Sequence, residues 1–233
     1  MKNIIILCAL EKEAKKFCEE LNNSTIKHHG KFKIYSGSLA NYNVVVMITG
    51  VGKVSAAINC QYLIDMFNPD CVLNIGTGGG LCENLNVGDV VLSRYCIQHD
   101  MVTTGFTNKG IGYLESIGQT ELYTDVDLLQ KFYDYLKKNT NVYTGAVLTG
   151  DQFINDKLKK EWLIKKFPQA LIVDMEGGAI AQTCIQNNIP YLCIKTASDM
   201  ANENSTNSYF KNAVSSSKNL AQLIIDALNS KII

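Results

Sequence analysis

"VSAAINCQYLIDMFNPDCVLNIG", residues 54–76, changes periodicity across a single turn. Val54, Ile58, Tyr62 and Met66 recur at helical spacing, and Asn68-Pro69 ends that run because proline disfavours a helical residue before it and cannot donate a helix hydrogen bond. "CVLNIG" then resumes as a short, apolar segment of the kind that forms a strand buried on both faces. A helix covering a buried strand is the signature of an α/β domain.

The same alternation extends outward. Residues 4–7 read as a buried strand, followed by a helical pattern to about Leu21; "KFKIYSGSL" (31–39) and "YNVVVMITG" (42–50) read as strands of a hairpin joined at Ala40-Asn41. Downstream, "VGDVVLSRYCIQHD" (87–100) is a long strand. The uneven, glycine-containing stretch 105–124 reads as a functional loop or an oligomer contact. Helices are expected at 125–138, 156–167, 176–187 and 209–228, with strands at "VYTGAVLTG" (142–150), "ALIVDM" (170–175) and "YLCIKTASD" (191–199). With no repeat, low-complexity segment or linker in the chain, the expectation is one domain over residues 1–233. Its architecture is a three-layer α/β/α sandwich with a central mixed β-sheet.

Lysine plus arginine equals aspartate plus glutamate, 22 of each, so no net field favours nucleic acid or an anionic membrane surface and a small-molecule partner is expected. Arg94 is the single arginine, which limits bidentate phosphate capture. Eight cysteines (8, 18, 60, 71, 82, 96, 184 and 193) form no C-x-x-C pair and sit mostly in apolar runs, as reduced core thiols do. The apolar run near the N-terminus is short and turns directly into a charged helix, so it reads as a first strand and not a signal peptide. No later run is long enough to span a bilayer, and a cytoplasmic enzyme is the expected class.

Two glycine clusters invite a ligand reading. "NIGTGGG" (74–80) lets a ligand approach the backbone closely but breaks the dinucleotide fingerprint, and "GVGKV" (50–54) fails the phosphate-loop pattern. Each alone reads equally well as a tight turn. Glu13 stands just past the carboxyl end of the first strand, where open α/β sheets place ligands, although a solvated first-turn acid is the commoner reason for that spacing. Asp199 in "ASDMANE" also follows a strand, as a site residue or as a helix cap. His99-Asp100 could form an acid-base pair, but neighbours on a strand face opposite ways and a structural role fits better.

"VDMEGGAIAQ" (173–182) is more demanding. Ala179, Ile180, Thr183 and Cys184 share one helical face, and Glu176 precedes that face by three and four residues. Its carboxylate points inward, where it must be paired, hydrogen-bonded or used, because an unsatisfied buried charge costs several kcal/mol. A vicinal diol would satisfy it with two hydroxyl donors.

With these pieces in order the chain resembles the purine nucleoside phosphorylase and hydrolase superfamily, and within it the 5'-methylthioadenosine/S-adenosylhomocysteine nucleosidases. The resemblance covers nearly the whole chain through "ALEKEAKKF", "TGVGKVSAA", "NIGTGGGL…VGDVV", "GDQFIN", "VDMEGGAIAQ" and "IKTASDMAN". It implies a nucleoside phosphorylase-like fold and hydrolysis of the N-glycosidic bond of methylthioadenosine and adenosylhomocysteine. By the same resemblance Glu13 activates the attacking water, Asp199 with Ser198 protonates purine N7, and Glu176 grips the ribose diol over Met175. Phe153 would stack on adenine, the backbone of Ile154 would read the purine edge, and Thr77 and Gly79 would line sugar and base. Val51, Phe106 and Tyr209 would enclose the 5'-alkylthio group, with Phe106 and Thr103 reaching across a homodimer interface. No cofactor or metal is implied, and the partners implied are a small nucleoside and a second copy of the chain.

Cleaving the N9–C1' bond builds positive charge on ribose and negative charge on the purine, so carboxylates near the sugar and a proton donor at N7 suit the chemistry. Phosphorylases of this superfamily hold phosphate with several arginines; one is found just before the glycine loop, where this chain has Asn74 and Ile75. Water is therefore the expected nucleophile. Alternatives are a related purine nucleoside hydrolase or phosphorylase with another 5' substituent or base, such as a futalosine hydrolase, and a non-catalytic nucleoside-binding protein. The chain departs from the nucleosidase pattern at Lys195 for arginine, Thr77 for serine, Gly177-Gly178 for alanines, and through 105–124.

Overall fold

The computed structural model describes residues 1–105 and 107–233. In chain order the elements are β1 (Lys2–Cys8), α1 (Glu11–Glu20), β2 (Asn22–His29), β3 (Phe32–Leu39), β4 (Tyr42–Ile48), α2 (Lys53–Phe67), β5 (Cys71–Gly80) and β6 (Val90–Gln98). They continue with β7 (Leu122–Tyr123), α3 (Val126–Leu136), β8 (Val142–Thr149), α4 (Lys157–Lys166), β9 (Ala170–Asp174), α5 (Gly177–Gln186), β10 (Tyr191–Asp199) and α6 (Ser205–Asn229).

Strand alternation divides the core. Ile4 and Ile6 of β1, Val44 and Val46 of β4, and Leu73 and Ile75 of β5 face one cluster, which Phe17 of α1, Phe132 of α3 and Ile224 of α6 complete. Ile5 and Leu7, Val45 and Met47, and Val72 face the opposite cluster, closed by Leu63 of α2 and Ile180 of α5. Helices therefore cover both faces of a mixed sheet, as the continuous apolar strands require. Asp125 and Asp156 cap α3 and α4, accepting from Leu128 N–H at 2.8 Å and Lys159 N–H at 2.7 Å.

The sheet runs β2-β3-β4-β1-β5 and then closes on itself: β5 pairs with β10, β10 with β6, β6 with β8, β8 with β9, and β9 returns to β5 at Gly79-Gly80. β1, β5 and β10 are parallel, so their carboxyl ends open at the same place. Local periodicity carries no trace of this closure.

The structure departs from or adds to the sequence pattern in three places. β2 was not anticipated, because "NNSTIKHH" is almost wholly exposed and lacks apolar alternation; it exists through pairing with β3. α6 begins at Ser205, ahead of the expected residue 209. The Val54, Ile58 and Met66 stripe of α2 faces solvent, at 69%, 57% and 57% exposure, while Ala56, Cys60, Leu63 and Ile64 pack inward. α2 is apolar around most of its circumference, so its pattern showed a helix without showing which side was buried.

Candidate active site

At the carboxyl ends of β1, β5 and β10 lies a cleft enclosing about 220 Å³. Glu13, third residue of α1, reaches back over its own helix start and is 4% exposed. One carboxylate oxygen accepts from Ala9 and Leu10 N–H, both at 3.1 Å, and the other from Thr77 N–H and Thr77 Oγ1, both at 2.9 Å. A Cβ at position 76 would lie 2.9 Å from Glu13 Oε1, so glycine there is what allows β5 to meet the acid.

Asp199 ends β10 and is paired in register with Gly79. It is 1% exposed; Ser198 Oγ donates to Oδ2 at 3.0 Å and Ala201 N–H to Oδ1 at 2.9 Å. The Ser198 hydroxyl has a second acceptor in the Gly78 carbonyl at 3.3 Å, so it can rotate between that carbonyl and Asp199.

Glu176 stands at the N-cap of α5 but does not cap it. The first helix N–H groups go elsewhere: Gly177 N–H donates to Asp174 Oδ2 at 2.8 Å and Gly178 N–H to Thr149 Oγ1 at 2.7 Å. Among the described residues the sole donor to the Glu176 carboxylate is Gly52 N–H at 3.0 Å, which leaves lone pairs free toward the cleft. Burial pushes the Glu176 carboxyl up to about 7, with Lys195 and the Gly52 hydrogen bond opposing and Asp174 and Glu13 adding to the rise.

Beneath these acids Lys195 and Asp174 form a buried ion pair at 2.8 Å, their side chains 2% and 1% exposed. Burial works against the Lys195 ammonium, but Asp174, Cys193, Glu176 and Glu13 outweigh it and hold Lys195 well above its usual range. The ammonium is thus the fixed counter-charge to Asp174, Glu176 and Glu13. The Asp174 carboxylate is held by three donors, Lys195 and Gly177 N–H at Oδ2 and Thr149 Oγ1 at Oδ1.

At the far end Phe153 is 46% exposed, leaving a ring face open, and meets Tyr209 edge-on at 5.8 Å between ring centroids. Val51, Thr77, Gly79, Ile154 and Met175 complete the set of expected residues that line the cleft with Glu13, Glu176, Ser198, Asp199, Phe153 and Tyr209. Thr103 is not among the lining residues of its own chain; it bonds Thr107 instead. Phe106 lies outside the described residues. His99 and Asp100 do not form a pair in the cleft: Asp100 holds Lys53 at 2.6 Å, and His99 is buried away from it. Sequence reasoning missed Asp174, although its position two residues before Glu176 and the charge at Lys195 together signalled a buried partner; Gly78, which also lines the cleft, lay in the glycine cluster 74–80 without being singled out, and Leu10 and Gln152 carried no signal of their own.

The sequence pattern of the Phosphorylase superfamily matches residues 3–229. The chain belongs to that superfamily. Among its relatives, the 5'-methylthioadenosine/S-adenosylhomocysteine nucleosidase of Anoxybacillus flavithermus is 35% identical, over 97% of this chain and 99% of its own. The corresponding Neisseria meningitidis nucleosidase, solved with methylthio-immucillin-A, superposes with a TM-score of 0.95 at 30% identity, over 99% of this chain and 100% of the other. The Colwellia psychrerythraea nucleosidase, solved with adenine, gives 0.92 at 31% identity, over 97% and 94%. A futalosine hydrolase mutant of Helicobacter pylori shares this superfamily member's fold, with a TM-score of 0.93 at 22% identity.

Proposed function

We propose that this chain hydrolyses the N-glycosidic bond of 5'-methylthioadenosine and S-adenosylhomocysteine, releasing adenine and the 5'-thioribose sugar. The observation that carries the reading is the convergence of three buried carboxylates, Glu13, Glu176 and Asp199, on one cleft that ends at an open aromatic ring. Nucleosidase relatives above 30% identity over nearly the whole chain support the same substrate class.

In this mechanism adenine stacks on Phe153, and the ribose hydroxyls donate to the free lone pairs of Glu176 above Met175. Asp199 delivers a proton to N7 while the Ser198 hydroxyl turns to the Gly78 carbonyl. Three of the four donors to Glu13 are backbone N–H groups that cannot move; the fourth is the Thr77 hydroxyl, whose rotation opens a lone pair for the attacking water. Positive charge on the ribose is met by Glu13 and Glu176. Acid catalysis of this type contributes about 10²- to 10⁴-fold, so Asp199→Asn should cost on that order in kcat while ligand still binds.

Water as nucleophile is supported by the single arginine, Arg94, which is exposed on β6 and not among the cleft residues. The test is release of the purine base, adenine from methylthioadenosine, adenosylhomocysteine and adenosine and hypoxanthine from inosine and futalosine, each with and without phosphate. Release from the first two at a phosphate-independent rate is expected. Turnover that requires phosphate and yields a sugar 1-phosphate would replace hydrolase with phosphorylase.

The same reading takes residues 1–233 as a single domain, supported by one continuous sheet, and a homodimer as the working unit. Dimerisation is supported by the outward apolar stripe of α2 beside Val51 at the cleft rim, and by Val102, 57% exposed, next to Thr103. A cytoplasmic location is supported by eight free cysteines. Among the described residues no helix is long and apolar enough to cross a membrane.

A further inference from the structure

Lys160, the fourth residue of α4, donates from its ammonium to the carbonyl of Met200 at 2.7 Å and to that of Gly80 at 3.1 Å. These carbonyls bracket Asp199. Met200 follows it on the chain, and Gly80 follows Gly79, its register partner on β5. Among the described residues no carboxylate lies within ion-pair distance of the ammonium, so its contacts are with backbone.

The turn being held is not at a conformational minimum. Ala201 has φ of +49°, a left-handed backbone that a residue with a Cβ disfavours, yet its N–H is the donor to Asp199 Oδ1. Orientation of the acid therefore depends on a turn that needs external restraint, and two charge-assisted hydrogen bonds supply it. Lys160 is half-buried. Burial lowers its pKa, while Asp199 on β10, together with Glu83 and Cys82 in the turn after β5, pushes back. Seven and six residues earlier in the chain, just ahead of α4, Phe153 and Ile154 line the cleft.

We infer that Lys160 is a positioning residue for Asp199: it ties the turn that orients the acid to the helix following Phe153 and Ile154, so that stacking of the base and delivery of the proton share one geometry. This rests on the reading of Asp199 as the N7 acid.

The test compares wild type, Lys160→Met and Asp199→Asn on two substrates. One is methylthioadenosine; the other is 4-nitrophenyl 5-methylthioriboside, whose leaving group departs without a proton. For Lys160→Met, kcat on methylthioadenosine should fall about tenfold or more with KM within about threefold, since small misplacements of a catalytic group are costly. Its rate on the nitrophenyl riboside should stay within about twofold of wild type, because that reaction does not call on the acid. An equal loss on both substrates, or no loss on methylthioadenosine, overturns the proposal. Full activity of Asp199→Asn on methylthioadenosine would instead remove the acid assignment on which it rests. Should the methionine variant fail to fold, Lys160→Gln, which keeps a donor for one carbonyl and removes the charge, carries the same comparison with the same outcomes.

Discussion

The carboxyl group at 176 is pulled in two directions, by burial that disfavours its charge and by a cleft that needs acceptors for hydroxyl donors. With a folded-state value of about 7 against an ordinary 4.5, the folded chain holds this proton more tightly than the unfolded chain does. Stability from this group is therefore greatest at low pH, declines as pH rises from about 4.5, and is fully lost above about 7, a difference of about 3 kcal/mol. Glu176→Gln removes the titration. The stability of wild type minus that of Glu176→Gln, from urea melts at pH 5, 6, 7 and 8, should fall by up to this amount across the series; a flat difference would show that burial does not set the Glu176 proton. That an acid at 176 faces inward was legible from helical spacing. Its donor, Gly52, lies 124 residues away in the chain and was not.

α5 shows why an element needs more than its own sequence. Its first two residues are glycines, which disfavour helix, and a Cβ at 177 would lie 2.8 Å from Asp174 Oδ2 and 3.0 Å from Cys193 Sγ. Asp174 cannot yield because Lys195, Thr149 and the Gly177 N–H all hold it. Gly177→Ala gains at most about 1 kcal/mol in helix propensity and loses about 1–3 kcal/mol to overpacking, so a net loss near 1 kcal/mol or more is expected. Urea melts read this, with Gly110→Ala as a control at a site where an added Cβ meets nothing within 4 Å. A gain in stability for Gly177→Ala would mean that Asp174 can move. Nearby, the two kinds of helix signal behaved differently. Asp125 and Asp156 marked the starts of α3 and α4 correctly, because a cap acts over three residues. The apolar stripe of α2 marked a helix but not its buried side, because burial depends on what lies opposite.

At the scale of the whole molecule, that outward stripe and the cleft belong to one problem. Val54 and Ile58 are too exposed and too close in sequence to cleft-lining Val51 to be incidental if the homodimer is the working unit. Val54→Glu combined with Ile58→Glu should convert a dimer of twice 25.8 kDa into monomer in light scattering, with catalytic activity falling alongside. A wild-type mass of one chain, or an unchanged dimer in the double variant, would move the interface elsewhere.

The sequence by itself determined the α/β class and the order of most strands and helices, because periodicity, caps and turn residues act within a few positions; it singled out Glu176 by helical spacing, while Glu13 and Asp199 gained their roles only through the family resemblance. Only the tertiary structure decided that the sheet closes from β9 back to β5, that β2 exists, that Asp174 and Lys195 lie beneath Glu176, and that Lys160 grips the turn after Asp199. The sheet closure, the buried ion pair and the Lys160 contacts join residues from 21 to 94 positions apart, while β2 is fixed by its pairing with the adjacent β3. The long-range contacts form when segments distant in sequence are packed together, and no local pattern encodes them.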